Sequence, residues 1–300
     1  MTAQAAANVI TTESKTAAPG EPFRLGNATH LNAFCRMLLD THNPYKPVIL
    51  DWPKLSEAAR ERLTSLPIWD IAVQTEGKAS LNVSTYGQVI KDPLLKQAVE
   101  MNAFEERRHK TVLSNLVQAY GIQLAPEPEY AVPKDPEWSF LVTGYSECID
   151  SFFAFGLFHA AKQTGFFPEE LVETFEPVIQ EEARHILFFV NWATWHRRNM
   201  PFWRRPLFDF KVFRVWLFLI GERIGMARNV GHGAQDNNFT ATGAKQLGAD
   251  IEVRGLVEIC LAENERRMAL LDPRLPRPST VPSLARVALK FMRSAKKAAS

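Results

Sequence analysis

Apolar residues recur at alternating steps of four and three along much of this chain, the spacing of helices that bury one face. The pattern predicts long helices over residues 68–89, 93–120, 137–164 and 168–199, each closed off by Pro, Gly or Asp. Two more are expected over 201–230 and 244–271, and a short one from His30 to Leu39. Ahead of the long helices, Asn43, Pro44, Pro47 and Pro53 force irregular chain.

Two of the apolar stripes are interrupted by charge. In the second long helix the stripe reads Leu95, Val99, Asn102, Glu106, His109, Leu113, Leu116 and Tyr120. In the fourth it reads Leu171, Phe175, Val178, Glu182, His185, Phe189 and Ala193. A buried carboxylate loses its hydration at a cost of several kcal/mol unless something neutralises it. Both interruptions carry the same pentad, Glu-Glu-x-Arg-His, at 105–109 and 181–185. Spacing of i, i+3 puts the second Glu and the His of each pentad on one face, where they can share an ion. Glu105, Glu181, Arg107 and Arg108 are read as solvated charges or as outer partners of the ligands.

Each pentad follows a helix with a lone carboxylate on an otherwise apolar or small-residue face. Glu76 lies among Trp69, Val73, Ser80 and Val83; Glu147 lies among Phe140, Gly144, Ser151, Ala154 and Phe158. Four carboxylates and two neutral imidazoles balance two divalent cations, and an oxygen-rich set containing nitrogen suits iron or manganese better than zinc or calcium. Gly144, Ser151 and Ala154 are expected to leave space beside Glu147. Phe152, Phe153, Phe155, Phe158, Phe188 and Phe189 are candidates to wall that space, or simply core.

The tandem Glu-x-x-His motifs, each with its upstream Glu, resemble the ferritin-like di-iron carboxylate superfamily over about residues 67–199. The resemblance implies an all-α fold, a ferritin-like four-helix bundle with two or more additional C-terminal helices. It implies two iron ions, with manganese acceptable in one site, held by Glu76, Glu106, His109, Glu147, Glu182 and His185. Dioxygen is then a co-substrate. Ferritins deplete one half-site, whereas both are intact here; rubrerythrins normally add a four-cysteine module that three scattered cysteines cannot build. The pattern is more similar to the single-component oxidases and oxygenases, which act on small organic substrates and draw electrons from a separate reductase. A ferroxidase or iron store, and a catalytically silent binding bundle, remain the alternatives. A homodimer is expected on the resemblance alone. Around the ligands, Asp150 is a candidate acceptor for a metal-bound imidazole, and Tyr86 and Tyr145 are candidates to touch a ligand or to fill core.

The remaining chain divides into a disordered lead at 1–22, an N-terminal extension at 23–66, the bundle at 67–200, additional helices packed on it at 201–272, and a Pro-rich connector with a basic tail at 273–300. A formal charge of +2 gives no grip on nucleic acid. Cys35, Cys148 and Cys260 form no CxxC pair, which suits a reducing, cytoplasmic setting. The aromatic-rich stretch 201–230 suits the bundle surface, a dimer seam or a membrane surface, with the bundle preferred. The basic tail suits peripheral contact with anionic lipid, or simple solvation. Glu222, Glu258, Glu263 and His232 are weaker candidates for an extra ligand, and Gly231-His232-Gly233 lacks phosphate-loop spacing.

Overall fold

The computed structural model describes residues 21–47, 51–66, 68–229 and 253–292. Their regular structure is helical: α1 (Ala28–Asp40), α2 (Glu57–Thr64), α3 (Trp69–Val89), α4 (Pro93–Tyr120), α5 (Pro136–Thr164), α6 (Glu169–Asn199), α7 (Arg205–Asn229), α8 (Val253–Ala269) and α9 (Thr280–Phe291), with a 3-10 turn at Phe202–Arg204. Most of the expected lead, the whole of 230–252 with His232 and the start of the helix expected over 244–271, and residues 293–300 lie outside the described residues.

Local chemistry sets the boundaries of the bundle helices. α4 starts where the Asp92 carboxylate accepts from the backbone N–H groups of Leu94 and Leu95, with Pro93 next in line, and stops at left-handed Gly121, φ 71°. α5 repeats the device with Asp135, Pro136 and Gly165, φ 63°. A carboxylate cap satisfies otherwise orphaned N–H groups, proline at the first position forfeits no bond, and glycine tolerates the positive φ. Short links fold α3 against α4 and α5 against α6. The longer 121–135 segment crosses between these hairpins, so that α3 meets α5 and α4 meets α6.

The core is divided along the bundle axis. One apolar cluster joins Phe34, Leu38, Val83, Tyr86, Val99, Phe140, Phe188 and Trp192; another joins Leu63, Trp69, Val73, Leu116, Tyr120 and Leu171. Glu76, both pentads and Glu147 lie in the layer between, which keeps bulk water from either end of it. α1 lies across α4 and α6, α8 rests on α5, and α7 packs on α5 with a lesser contact to α6.

Of the two readings of the basic tail, an amphipathic helix or a frayed, solvated segment, Thr280–Phe291 takes the helical one and begins just inside the expected connector. Pro282 sits in its first turn, where the missing N–H costs nothing, and Val281 and Ala285 pack beside Phe152 and Phe153. No helix among the described residues is long and apolar enough to cross a membrane.

Candidate metal centre

Glu106, His109, Glu182 and His185 come together so closely that one ligand atom from each lies within 4.8 Å of all the others. Both histidines are fully buried, and their rings stand 5.4 Å apart. Glu182 Oε1 is 2.9 Å from His109 Nδ1 and 3.9 Å from His185 Nδ1. Glu106 mirrors it, with Oε1 at 2.9 Å from His185 Nδ1 and Oε2 at 4.0 Å from His109 Nδ1. These two carboxylates therefore stand between the imidazoles. Glu76 approaches from α3, its Oε2 3.7 Å from His109 Nδ1. Glu147, on α5, lies outside the tightest group, and its Oε1 is buried without a hydrogen-bond partner.

The far side of each imidazole is held by the opposite pentad. His109 Nε2 lies 2.8 Å from Glu181, and His185 Nε2 lies 2.8 Å from Glu105. Arg108 then donates to Glu181 and Arg184 to Glu105, so each arginine also crosses to the other helix. The same guanidiniums grip the end of α1 and the chain after it: Arg184 binds Thr41 Oγ1 and the Leu38 carbonyl, and Arg108 binds the Asn43 and Tyr45 carbonyls. Glu105, Glu181, Arg108 and Arg184 are all buried, which rules out the solvated reading for the first three; Arg107 alone of that group faces solvent. One sequence signal for this role was available in the identical Arg one residue before the His in both pentads.

The electrostatics show what the layer needs. Burial, reinforced by the charges of Glu106 and Glu182, pushes Glu76 up to about 8 against the pull of His109. Burial and the same two carboxylates drive Glu147 well above the usual carboxylate range. For His109 and His185 burial acts downward, but the surrounding carboxylates override it and hold both imidazoles well above their ordinary value. In the absence of a metal, protons are what this layer must hold.

Hydrogen bonds at Nε2 leave each Nδ1 lone pair facing inward, and both Nδ1 atoms are buried without a hydrogen-bond partner. Neutral Nδ1 and Glu182 Oε1, at 2.9 Å, would set lone pair against lone pair. A cation between them resolves that conflict. The residues fit two transition-metal ions held by four carboxylates and two imidazole nitrogens.

No family model matches this chain, and no curated protein matches its sequence. Among solved structures, the fold matches a single-substitution variant of an R2-like ligand-binding oxidase with an anaerobically reconstituted Mn/Fe cofactor. The TM-score is 0.50 at 16% identity, over 81% of this chain and 93% of that one. The fold is ferritin-like.

Within this ferritin-like bundle several sequence expectations are displaced. Asp150 points away from the histidines: it pairs with Arg223 at 2.8 Å, accepts from Ser146 and is exposed. A residue one turn beyond a ligand still leaves the metal-facing side when another helix, here α7, supplies a charge. Tyr86 stacks on Phe140, 4.5 Å between centroids, and Tyr145 meets Phe189 and Trp216 edgewise or tilted; among the described residues neither hydrogen-bonds to a ligand. Phe189 fills the space expected beside Gly144, since a Cβ there would stand 2.1 Å from its ring. Glu263 is engaged by Arg266 and His159, and Glu258 by Arg254, so both are occupied away from the metal layer.

Proposed function

We propose that this protein is a dioxygen-dependent di-metal oxidoreductase, an oxidase or oxygenase, acting on a small, apolar organic molecule. The observation that carries the reading is the pair of intact half-sites, each with a buried Nδ1 that faces carboxylate oxygen at 2.9 Å without a hydrogen bond to it. The metal pair is Fe/Fe or, by analogy with the cofactor named for the structural neighbour, Mn/Fe. Such a pair supplies the binding and reduction of dioxygen. The chain's own residues do the rest. Glu76 with His109, and Glu147 with His185, would hold one ion each, and Glu106 and Glu182, which stand between the imidazoles, would serve both. Asn102 donates to Glu106 at 3.0 Å and fixes its carboxylate plane. Buried Phe152, Phe155, Phe188 and Phe189 keep the neighbourhood dry.

A separate reductase is the proposed electron source, as the resemblance to single-component oxidases and oxygenases implies, and the buried free thiols Cys35, Cys148 and Cys260 support a reducing cytoplasm as the proposed setting. A homodimer is part of the same reading. The test is anaerobic loading with ferrous ion, alone or with manganous ion, followed by metal counting, admission of oxygen and screening of apolar compounds. The expected result is two metals per chain and oxygen uptake accelerated by an organic compound that is itself oxidised. Ferric ion accumulating well beyond two per chain would replace the proposal with an iron-handling role. Absence of oxygen uptake in the reduced, loaded protein would leave a binding bundle.

A further inference from the structure

The surface of α7 is written for something other than water. Phe208, Val215 and Leu219 are its buried contacts with the bundle. The opposite side exposes Leu207, Phe210, Phe213, Leu217, Ile220 and Ile224, continued onto the preceding turn by Trp203 and by Phe202, which is 80% exposed. At 3.6 residues per turn the α7 positions share one side of the helix, an arc of roughly 140° and about 26 Å long. Among the described residues nothing covers it. Contiguous exposed apolar surface on this scale marks an interaction site.

Charge identifies the occupant. The one charged side chain inside the arc is Arg214, which is exposed and lies over the Trp138 ring at 5.4 Å. Arg204 stands at the N-terminal end, 5.9 Å from the Trp203 ring, whereas Lys211 is held by Asp135 and Glu137 and Arg205 by the Met200 and Arg198 carbonyls, so the free cations here, among the described residues, are Arg204 and Arg214. Of the two acids on α7, Asp209 is already held by Arg197 at 2.6 Å, which leaves Glu222. α9 has the same design, with Leu284, Val287 and Phe291 exposed, Arg286 and Lys290 beside them, and no acid.

We propose that α7 seats the protein on an anionic lipid surface, with its aromatic arc among the acyl chains and its arginines at the headgroup phosphates. An interfacial helix takes this form: one broad apolar face rich in Trp, Phe and Leu, with cations at its margins. A second copy of the chain fits less well, since a seam along the arc would strip Arg214 of its water, and pairing with Glu222 of the other copy would at best offset that cost. At a lipid surface a long cationic side chain reaches out to phosphate while its stem stays apolar.

Cosedimentation of the full metal-loaded chain with two kinds of vesicle tests this: phosphatidylcholine alone, and phosphatidylcholine mixed with phosphatidylglycerol. The protein should pellet with the mixed vesicles, less with the neutral ones, and less again as salt is raised. Phe210→Glu and Leu217→Glu lie on the exposed arc, so helix content and bound metal should hold while vesicle affinity drops at least about tenfold. Equal pelleting of parent and variants would overturn the proposal, as would equal binding to both vesicle types. So would a stable dimer that ignores vesicles and is split by the same substitutions, which would give the arc to a second copy.

Discussion

The carboxylate of Glu181 on α6 takes the Nε2 hydrogen of His109 on α4 at 2.8 Å, although 72 residues separate them. Glu105 does the same for His185 in the opposite direction, so each pentad orients the other's imidazole. Removing such an acceptor leaves a ring free to rotate and, here, a buried arginine without its charge partner. Glu181→Ala should therefore weaken ferrous ion binding about 10- to 100-fold. Glu181→Gln keeps an acceptor while losing the charge, so its affinity should fall in between. Competition against a chromophoric chelator measures both, and an Ala variant with parental affinity would remove the orienting role.

Both Nδ1 atoms are buried without a hydrogen bond, and on the proposed reading each is the imidazole ligand of one metal. His185→Ala should thus lower the metal content from two per chain to one, and the double variant with His109→Ala should bind none with useful affinity. Elemental analysis after loading decides the matter. Undiminished metal in the double variant would show that the imidazoles are not ligands.

Proton and metal compete for the same layer, and the sign of that competition follows from the shifts. Glu76 is pushed up to about 8 from an ordinary 4.5, and Glu147, His109 and His185 move upward as well. A group whose pKa is higher in the folded state stabilises the fold while protonated, and that contribution is lost as pH rises through the folded value. The metal-free protein should therefore melt at progressively lower temperature as pH climbs from about 4.5 to about 8. The loaded protein should change little over that range, and metal affinity should rise with pH because fewer protons must leave. Calorimetry of both forms provides the check. A metal-free protein that melts no lower on the alkaline side would contradict the argument.

The convergence of the four candidate ligands on the two pentads was legible because Glu106, His109, Glu182 and His185 replace apolar residues on otherwise regular stripes. Only burial explains such placement, and burial of charge demands a partner. Glu105 and Glu181 were not legible in the same way: they lie one position off the stripe, where a helix in a simple bundle meets water. What hides them is the end of α1 and the chain after it, held by Arg184 and Arg108 through contacts as much as 146 residues apart in sequence. Such long-range cover leaves no mark on local periodicity. Asp150 was misplaced for the converse reason, since its partner Arg223 belongs to a helix whose docking on α5 the spacing of α5 does not encode.

Gly144 shows how tightly the layer is framed. It lies one turn before Glu147 on α5, and Phe189 lies one turn after His185 on α6, so their contact sets how closely the two ligand-bearing helices approach. The Phe189 ring cannot simply swing aside, because it also meets Phe140 at 5.7 Å, Tyr145 at 4.8 Å and Trp192 at 5.8 Å. Gly144→Ala would place a methyl 2.1 Å from that ring. The expected cost is about 1–3 kcal/mol, with the melting temperature falling by roughly 2–4 °C per kcal/mol. If the clash with Phe189 is the cause, trimming the ring should relieve it. Phe189→Leu should destabilise the parent by leaving a void yet cost the Gly144→Ala protein much less, giving a coupling well above about 0.5 kcal/mol in a double-mutant cycle. Strictly additive effects would mean that the two helices are kept apart by some other contact.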